Sequence, residues 1–156
     1  MPIEPVPARV PEDLATLRTL FQEYADALGV DLCFQGFERE LRELPGDYAR
    51  PRGELLLALA AGAAAACVAL RPLDATIAEM KRLYVRPAYR GTGLGRRMAL
   101  AIVAAARERG YARLRLDTLP MMTEGIALYR SLGFTEIAPY RVNPVPGALF
   151  LELVLR

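Results

Sequence analysis

The stretch from Leu83 to Gly95 reads Leu-Tyr-Val-Arg-Pro-Ala-Tyr-Arg-Gly-Thr-Gly-Leu-Gly, and it joins a strand-like start to a glycine-rich end. Glycines alternate at Gly91, Gly93 and Gly95, and a helical pattern begins directly after them. Glycine lets the backbone approach a ligand closely and adopt positive φ. The start of a helix presents unpaired N–H groups and the positive end of the helix dipole. This arrangement predicts a binding site for a phosphate or pyrophosphate group.

Three kinds of phosphate-binding loop contain glycines spaced in similar ways. A Walker-type loop ends in Gly-Lys-Ser/Thr, whereas Gly95 is followed by Arg96 and Arg97, so the hydroxyl that binds Mg²⁺ is missing. A dinucleotide fingerprint needs G-x-G-x-x-G, whereas this loop reads G-x-G-x-G after strands that look antiparallel. The third pattern, Arg-x-x-Gly-x-Gly, is the signature of acetyl-coenzyme A binding, and Arg90, Gly93 and Gly95 match it in register.

Positive charge is concentrated around this loop. The segment Lys81–Arg97 carries six basic side chains and no acidic one, whereas residues 1–56 carry 11 acidic and 6 basic side chains. A local excess of positive charge indicates an anionic ligand, and a solvated basic surface is the plainer alternative. The preceding strand and the following helix favour the ligand site over a glycine-rich turn with no ligand. The overall charge of +2 disfavours a nucleic-acid partner.

The remaining sequence predicts a single domain over residues 1–156, because no repeat or linker marks a boundary. Hydrophobic periodicity and turn residues predict helices at 11–28, 34–44, 95–109 and 123–132, and strands at 54–60, 64–70, 76–85, 113–119, 134–137 and 148–155. Helices, an antiparallel meander and then alternating strands and helices indicate a mixed sheet with helices on both faces.

Composition excludes several classes of protein. Apolar residues make up 53% of the chain, which disfavours disorder. The longest apolar run, Leu55–Leu70, is too short to span a membrane, and the N-terminus lacks the pattern of a secretory signal. Cys33 and Cys67 match neither a metal site nor a disulfide framework. We therefore expect a cytoplasmic protein without a metal and without a membrane partner.

A second motif lies further along, where Ala127–Phe134 reads Ala-Leu-Tyr-Arg-Ser-Leu-Gly-Phe. With both motifs in this order and spacing, the chain resembles the GNAT superfamily of N-acetyltransferases from about Ile3 to Leu155. The resemblance implies an α/β (α+β) fold with a mixed, mostly antiparallel central sheet of six to seven strands. The sheet would carry helices on both faces and be splayed between the fourth and fifth strands.

The resemblance also implies how acetyl-CoA binds. Its pantetheine arm would lie in the splay and its pyrophosphate at the glycine loop. Many family members have an asparagine seven residues before the motif tyrosine, whereas this chain has Met122, which removes one side-chain contact with the arm. The implied binding residues are Leu83 and Val85 for the arm, and Arg90, Gly91, Gly93, Gly95 and Arg96 for the pyrophosphate.

The resemblance assigns the chemistry to two side chains. Tyr129 matches the family tyrosine that protonates the departing thiolate, although packing of this tyrosine in the core is the structural alternative. Glu79 matches the strand position that carries a catalytic glutamate in some members, and the chain has no histidine to act as the base. Asp117 is the second candidate for this role. Without a histidine, the base would be a carboxylate with a raised pKa, a tyrosine, or a carboxylate acting through water. A structural ion pair with Lys81, Arg82 or Arg115 is the alternative for either carboxylate.

The expected activity is direct transfer of an acetyl group from acetyl-CoA to a primary amine of a small molecule or peptide, with no metal and no covalent intermediate. Phe34, Phe37, Tyr140 and Asn143 are candidates for contacting the acceptor, and the acidic first third favours a cationic amine. A homodimer is expected only by analogy with similar proteins. The alternatives are a non-catalytic acyl-CoA-binding regulatory module and a nucleic-acid-binding module.

Overall fold

A computed structural model describes residues 3–29, 32 and 36–155. In this part of the chain, seven strands and four α-helices follow one another, with 3₁₀ turns at Gly46–Tyr48 and Pro87–Tyr89. Their bounds are β1 (Pro5–Pro7), α1 (Leu14–Leu28), α2 (Phe37–Glu43), β2 (Glu54–Ala60), β3 (Ala63–Pro72), β4 (Ile77–Val85), α3 (Leu94–Glu108), β5 (Arg113–Thr118), α4 (Thr123–Ser131), β6 (Thr135–Ile137) and β7 (Leu149–Val154).

The strands form one sheet in the order β1-β2-β3-β4-β5-β7-β6. Only β4 and β5 pair in parallel, and all other neighbours are antiparallel. The predicted mixed, mostly antiparallel sheet is confirmed. The sequence did not predict β1, because Pro5 and Pro7 argue against a strand; proline is tolerated here because β1 is an edge strand and pairs only with β2.

The sheet opens between β4 and β5, as predicted for the fourth and fifth strands. The two strands pair only where Ile77–Glu79 faces Arg113–Arg115. Beyond this point β4 continues to Val85 and β5 to Thr118 without pairing to each other. The backbone of β4 therefore has an open edge along the second half of the strand.

A bulge in β4 lies at the start of this open edge. The register between β3 and β4 shifts after Cys67, so that Ala69 pairs with Lys81 rather than with Arg82. Arg82 has φ of +61°, a conformation that residues other than glycine seldom adopt. A bulge of this kind places an extra residue opposite one partner and bends the strand.

The two faces of the sheet are covered by different helices. The apolar stripe of α3, which includes Met98, Ile102 and Ala106, is buried against one face. Leu17 and Phe21 of α1 are buried against the other face, together with α2. The spacing of three and four residues that predicted these helices is the spacing that places their apolar side chains on one side. Among the described helices, none is long and apolar enough to cross a membrane.

Arg82 ties the bulge to the α1–α2 layer. Its guanidinium is almost fully buried and donates to both carboxylate oxygens of Glu40 on α2, at 2.9 and 2.7 Å. The same group lies 5.8 Å from the ring centre of Tyr24 and 5.1 Å from that of Phe37. Two carboxylate contacts and two aromatic faces compensate the burial of this charge, so the bulge is held from the helical side.

Glu40→Ala should lower the free energy of unfolding by about 3 kcal/mol, because it leaves a buried guanidinium without its carboxylate. Glu38→Ala is the matched control on the same helix, and its exposed side chain should cost less than about 1 kcal/mol. Urea unfolding of the two variants measures the difference. Equal losses would show that the Arg82–Glu40 pair does not hold the bulge.

Candidate active site

A groove with a volume of about 630 Å³ occupies the opening of the splay. The end of β4, the glycine loop and the starts of α3 and α4 form its walls. Six of the seven residues predicted to bind the cofactor line it: Leu83, Val85, Arg90, Gly91, Gly93 and Gly95. Arg96 is not among the lining residues, and its guanidinium donates to the hydroxyl of Ser131 at 3.0 Å.

The glycine loop uses its glycines for two different purposes. Gly91 and Gly93 have φ of +78° and +81°, so they supply conformations that other residues avoid. Gly95 has no such backbone requirement, and a Cβ atom added there would lie 3.7 Å from the nearest atom, in Val85. We infer that the absence of a side chain at Gly95 keeps the groove open. No side chain caps α3, so its first N–H groups remain available to a ligand.

The open edge of β4 presents backbone hydrogen-bonding groups to the groove. Arg86 N–H donates to the carbonyl of Ala65 on β3 at 2.8 Å. Because successive residues of a strand alternate in direction, the backbone groups of Val85 point the other way, into the splay. The Val85 carbonyl accepts a hydrogen bond there from Nε of Arg90 at 2.9 Å. An extended, amide-containing arm can pair with this edge as an additional strand.

A cavity of about 30 Å³ lies at the inner end of the groove. It shares Tyr24, Leu28, Leu83 and Met122 with the groove, so the two spaces adjoin each other. Its polar lining includes Lys81, Asp117, Tyr129 and Asn143. Lys81 lies on β4, Asp117 on β5 and Tyr129 on α4, so the cavity collects side chains from both sides of the splay.

Tyr129 is buried on α4, with its ring centre 5.8 Å from that of Phe134. Burial raises the pKa of its hydroxyl well above the usual value. Like an ordinary tyrosine, it keeps its proton at neutral pH, and it lines the inner cavity. Packing in the core and a place at the candidate site coexist in this residue, and its catalytic role stays a prediction.

Glu79 is the last residue of β4 that pairs with β5, and its side chain is fully buried. One carboxylate oxygen accepts from Arg71 at 2.9 Å, and the other accepts from the hydroxyl of Tyr140 at 2.5 Å and from Arg141. Burial acts to raise the pKa of Glu79, but the charges of Lys81, Arg71 and Arg141 outweigh it, so the pKa is lowered. The pKa shift of Glu79 is therefore opposite in direction to the raised pKa expected of a carboxylate base. Glu79 forms its ion pairs with Arg71 and Arg141, whereas Lys81, Arg82 and Arg115 were the expected partners.

The other residues proposed from the sequence lie in different surroundings. Asn143 lines the inner cavity and donates to Asp117 at 3.2 Å, which brings both candidates to the site. The Tyr140 hydroxyl donates to Glu79. Phe37, the first residue of α2, is buried in the core on the side of the sheet that α1 and α2 cover. Phe34 lies outside the described residues. Met122 directly precedes α4 at its N-cap position and lines both the groove and the cavity.

Lys81 is the residue that sequence reasoning considered only as an ion-pair partner. Its side chain is buried beside the cavity. Burial is the largest influence and, together with the charge of Arg82, lowers the pKa of Lys81 to about 7, although Glu79 and Asp117 act in the opposite direction. One signal was present in the sequence, because Lys81 is the only lysine in the chain.

Comparisons with known proteins find relatives in sequence and in fold. The chain is 38% identical over 147 residues to the uncharacterized N-acetyltransferase C1271.07c of Schizosaccharomyces pombe, which covers 93% of this chain and 90% of that protein. The fold matches an N-acetyltransferase from Thermoplasma acidophilum solved with coenzyme A, at a TM-score of 0.76, 22% identity and 99% coverage of each chain. It also matches an acetyltransferase from Salmonella typhimurium solved with acetyl-CoA, at a TM-score of 0.71, 21% identity and coverage of 100% and 95%.

The model of the acetyltransferase (GNAT) family matches residues 16–134, which is more than half of the chain. This match includes the glycine loop, the open edge of β4 and the helix that carries Tyr129. The chain therefore belongs to the GNAT family and is an acetyl-CoA-dependent acyltransferase.

Proposed function

We propose that this enzyme transfers the acetyl group of acetyl-CoA to a primary amine of a small molecule or peptide by direct attack. The observation that carries the proposal is that the groove adjoins the inner cavity and shares four lining residues with it. A ligand bound at the glycine loop and along β4 would reach Tyr129 at its inner end. The names of the relatives support N-acetylation, and the ligands of the two solved structures support acetyl-CoA as the donor.

The donor would be held mainly by backbone groups. The N–H groups of Gly91, Gly93, Gly95 and Arg96, in the loop and at the start of α3, would bind the pyrophosphate. Leu83 and Val85 would pair with the pantetheine arm. Arg90 contributes positive charge at the mouth of the groove and already contacts the Val85 carbonyl. These contacts do not depend on the asparagine that Met122 replaces.

Transfer would take place beside the β4 bulge. The amine, in its free-base form, attacks the thioester carbonyl, and backbone N–H groups at Arg82 and Leu83 stabilise the negative charge that develops on oxygen. Tyr129 donates its proton to the departing thiolate. Glu79 acts as a positioning residue that holds Tyr140 and Arg141 next to the acceptor side. A direct role of Glu79 in proton transfer stays a prediction.

Donor binding and turnover are tested in sequence. Acetyl-CoA at a hundredfold excess over its Kd should stabilise the protein by about 3 kcal/mol. Thiol release is then measured across a panel of a polyamine, an aminoglycoside, a lysine peptide and acidic amino acids. The acidic first third favours the cationic amines, and preference for acidic amino acids would contradict that expectation. Stabilisation without thiol release from any amine would favour the non-catalytic acyl-CoA-binding module.

Tyr129→Phe should lower kcat by about 100-fold and leave the KM for acetyl-CoA nearly unchanged, because it removes only the donated proton. The phenyl ring keeps the packing against Phe134. Tyr48→Phe is the matched control, since Tyr48 is another buried tyrosine and does not line the groove or the inner cavity. Wild-type kcat in Tyr129→Phe would limit Tyr129 to a structural role.

Gly95→Leu should weaken coenzyme A binding at least tenfold and change the unfolding midpoint little. The new Cβ atom has space in the fold, but the side chain fills the groove beside Val85. Ala104→Leu adds the same bulk at an exposed position of α3 and should keep wild-type affinity. Calorimetric titration with coenzyme A measures both variants. Unchanged affinity in folded Gly95→Leu would place the ligand elsewhere.

A further inference from the structure

Lys81 is the single lysine of a chain whose other 19 basic residues are arginines. It lies on β4 immediately before the bulge residue Arg82, and its side chain is 5% exposed at the inner cavity. An arginine stays charged throughout the physiological pH range, whereas a buried lysine can lose its proton. The one basic side chain able to become neutral near pH 7 therefore lies where the groove ends.

We propose that Lys81, as a neutral amine, accepts the proton that the acceptor amine loses when it attacks the thioester. The assignment rests on the proposed acetyl transfer and adds a catalytic residue to it. It also answers the question raised by a chain without histidine, because both carboxylate oxygens of Glu79 are already held by Arg71, Tyr140 and Arg141.

The surroundings of Lys81 carry charges of both signs. Burial and the positive charge of Arg82 favour the neutral amine and lower the pKa of Lys81 to about 7, and Arg71 acts in the same direction. A base with a pKa near the working pH is the most effective in proton transfer. Among the described residues, the ionisable groups that face it include Glu79 and Arg82 on β4, Arg71 on β3, Asp117 on β5, Tyr24 on α1 and Tyr129 on α4.

The proton balance closes with Lys81 and Tyr129 as partners. Attack forms the C–N bond, moves the carbonyl electron pair to oxygen and leaves a positive, acidic nitrogen. That nitrogen gives its proton to Nζ of Lys81. The oxygen electron pair returns, the C–S bond breaks, and the thiolate takes the proton of Tyr129. Lys81 then returns its proton to the Tyr129 phenolate, so the products are the amide and coenzyme A thiol.

The size of the inner cavity suits a short proton path. Its volume of about 30 Å³ corresponds to one water molecule, and its polar lining includes Asp117, Tyr129 and Asn143 beside Lys81. A water bound in this cavity would provide a path for the proton between Lys81 and Tyr129, which both line it. The two groups lie on opposite sides of the splay, and the cavity joins them.

The first test measures titration without turnover. Because the chain has one lysine, selective ¹⁵N labelling of lysine gives a single side-chain signal, which reports Lys81 alone. Its midpoint in the complex with coenzyme A should lie near pH 7. A midpoint above pH 9 would overturn the assignment, because Lys81 would then be an ammonium ion at neutral pH and unable to accept a proton.

Stability gives a second reading of the same group. The pKa of Lys81 in the folded protein is about 7, below the usual lysine value of 10.5, so the unfolded chain binds more protons between these values. The stability of the wild type relative to Lys81→Met should therefore rise as pH increases through this window. A pH-independent difference between the two proteins, measured by urea unfolding, would contradict a neutral Lys81.

The third test measures rates with trifluoroethylamine, an acceptor that is already a free base at neutral pH. The kcat/KM of the wild type should rise through a pKa near 7. Lys81→Met, and Lys81→Arg with its permanent charge, should lose this step and fall by about 100-fold at pH 8. Arg39→Met, which removes one exposed charge, should keep the wild-type rate and profile.

The outcomes separate two failures. If wild-type protein acetylates no amine, including trifluoroethylamine, the proposed function falls and the role of Lys81 with it. If the wild type is active and both Lys81 variants keep its rate and pH profile, only the assignment to Lys81 falls. Acetylation of Lys81 itself during turnover, detected as a mass increase at that residue, would also overturn the role, because an amide cannot accept the proton.

Discussion

The edge of β4 that β5 leaves open beyond Glu79 is the constraint on which the rest of the structure depends. Backbone N–H and C=O groups inside a protein need hydrogen-bonding partners, and a strand in mid-sheet ordinarily finds them on both sides. Here β5 leaves β4 after Glu79, so the groups of the last residues face a groove instead of a neighbouring strand. In the proposed function, the amide groups along the extended arm of the donor would supply the missing partners.

Two charged contacts keep this opening in place. Where the pairing of β4 with β5 ends, Glu79 forms ion pairs with Arg71 of β3 and with Arg141 in the connection between β6 and β7. Just beyond it, Arg82 joins the bulge to Glu40 of α2. Both carboxylates are buried or nearly so and lie opposite buried or half-buried guanidinium groups, which suits a role in fixing geometry more than in adding stability.

Local sequence patterns were enough to predict most of the fold and the glycine loop that begins α3. The glycine loop and the helix that follows it are contiguous, so Gly91, Gly93 and Gly95 carry their meaning in the sequence itself. The surroundings of Glu79 were not predictable in this way, because Arg141 lies 62 residues away and meets it only through the sheet. The lowered pKa of Lys81 likewise depends on burial and on groups from several strands, which no spacing reveals.

The hydrogen bond from Arg90 to the Val85 carbonyl has a consequence for the protein in the absence of its donor. An exposed strand edge is a template on which a strand of another molecule can add, and this is a common route to aggregation. Arg90 occupies an acceptor on that edge and places a charge beside it. Arg90 thus opposes the addition of a strand from another molecule at this edge of the sheet.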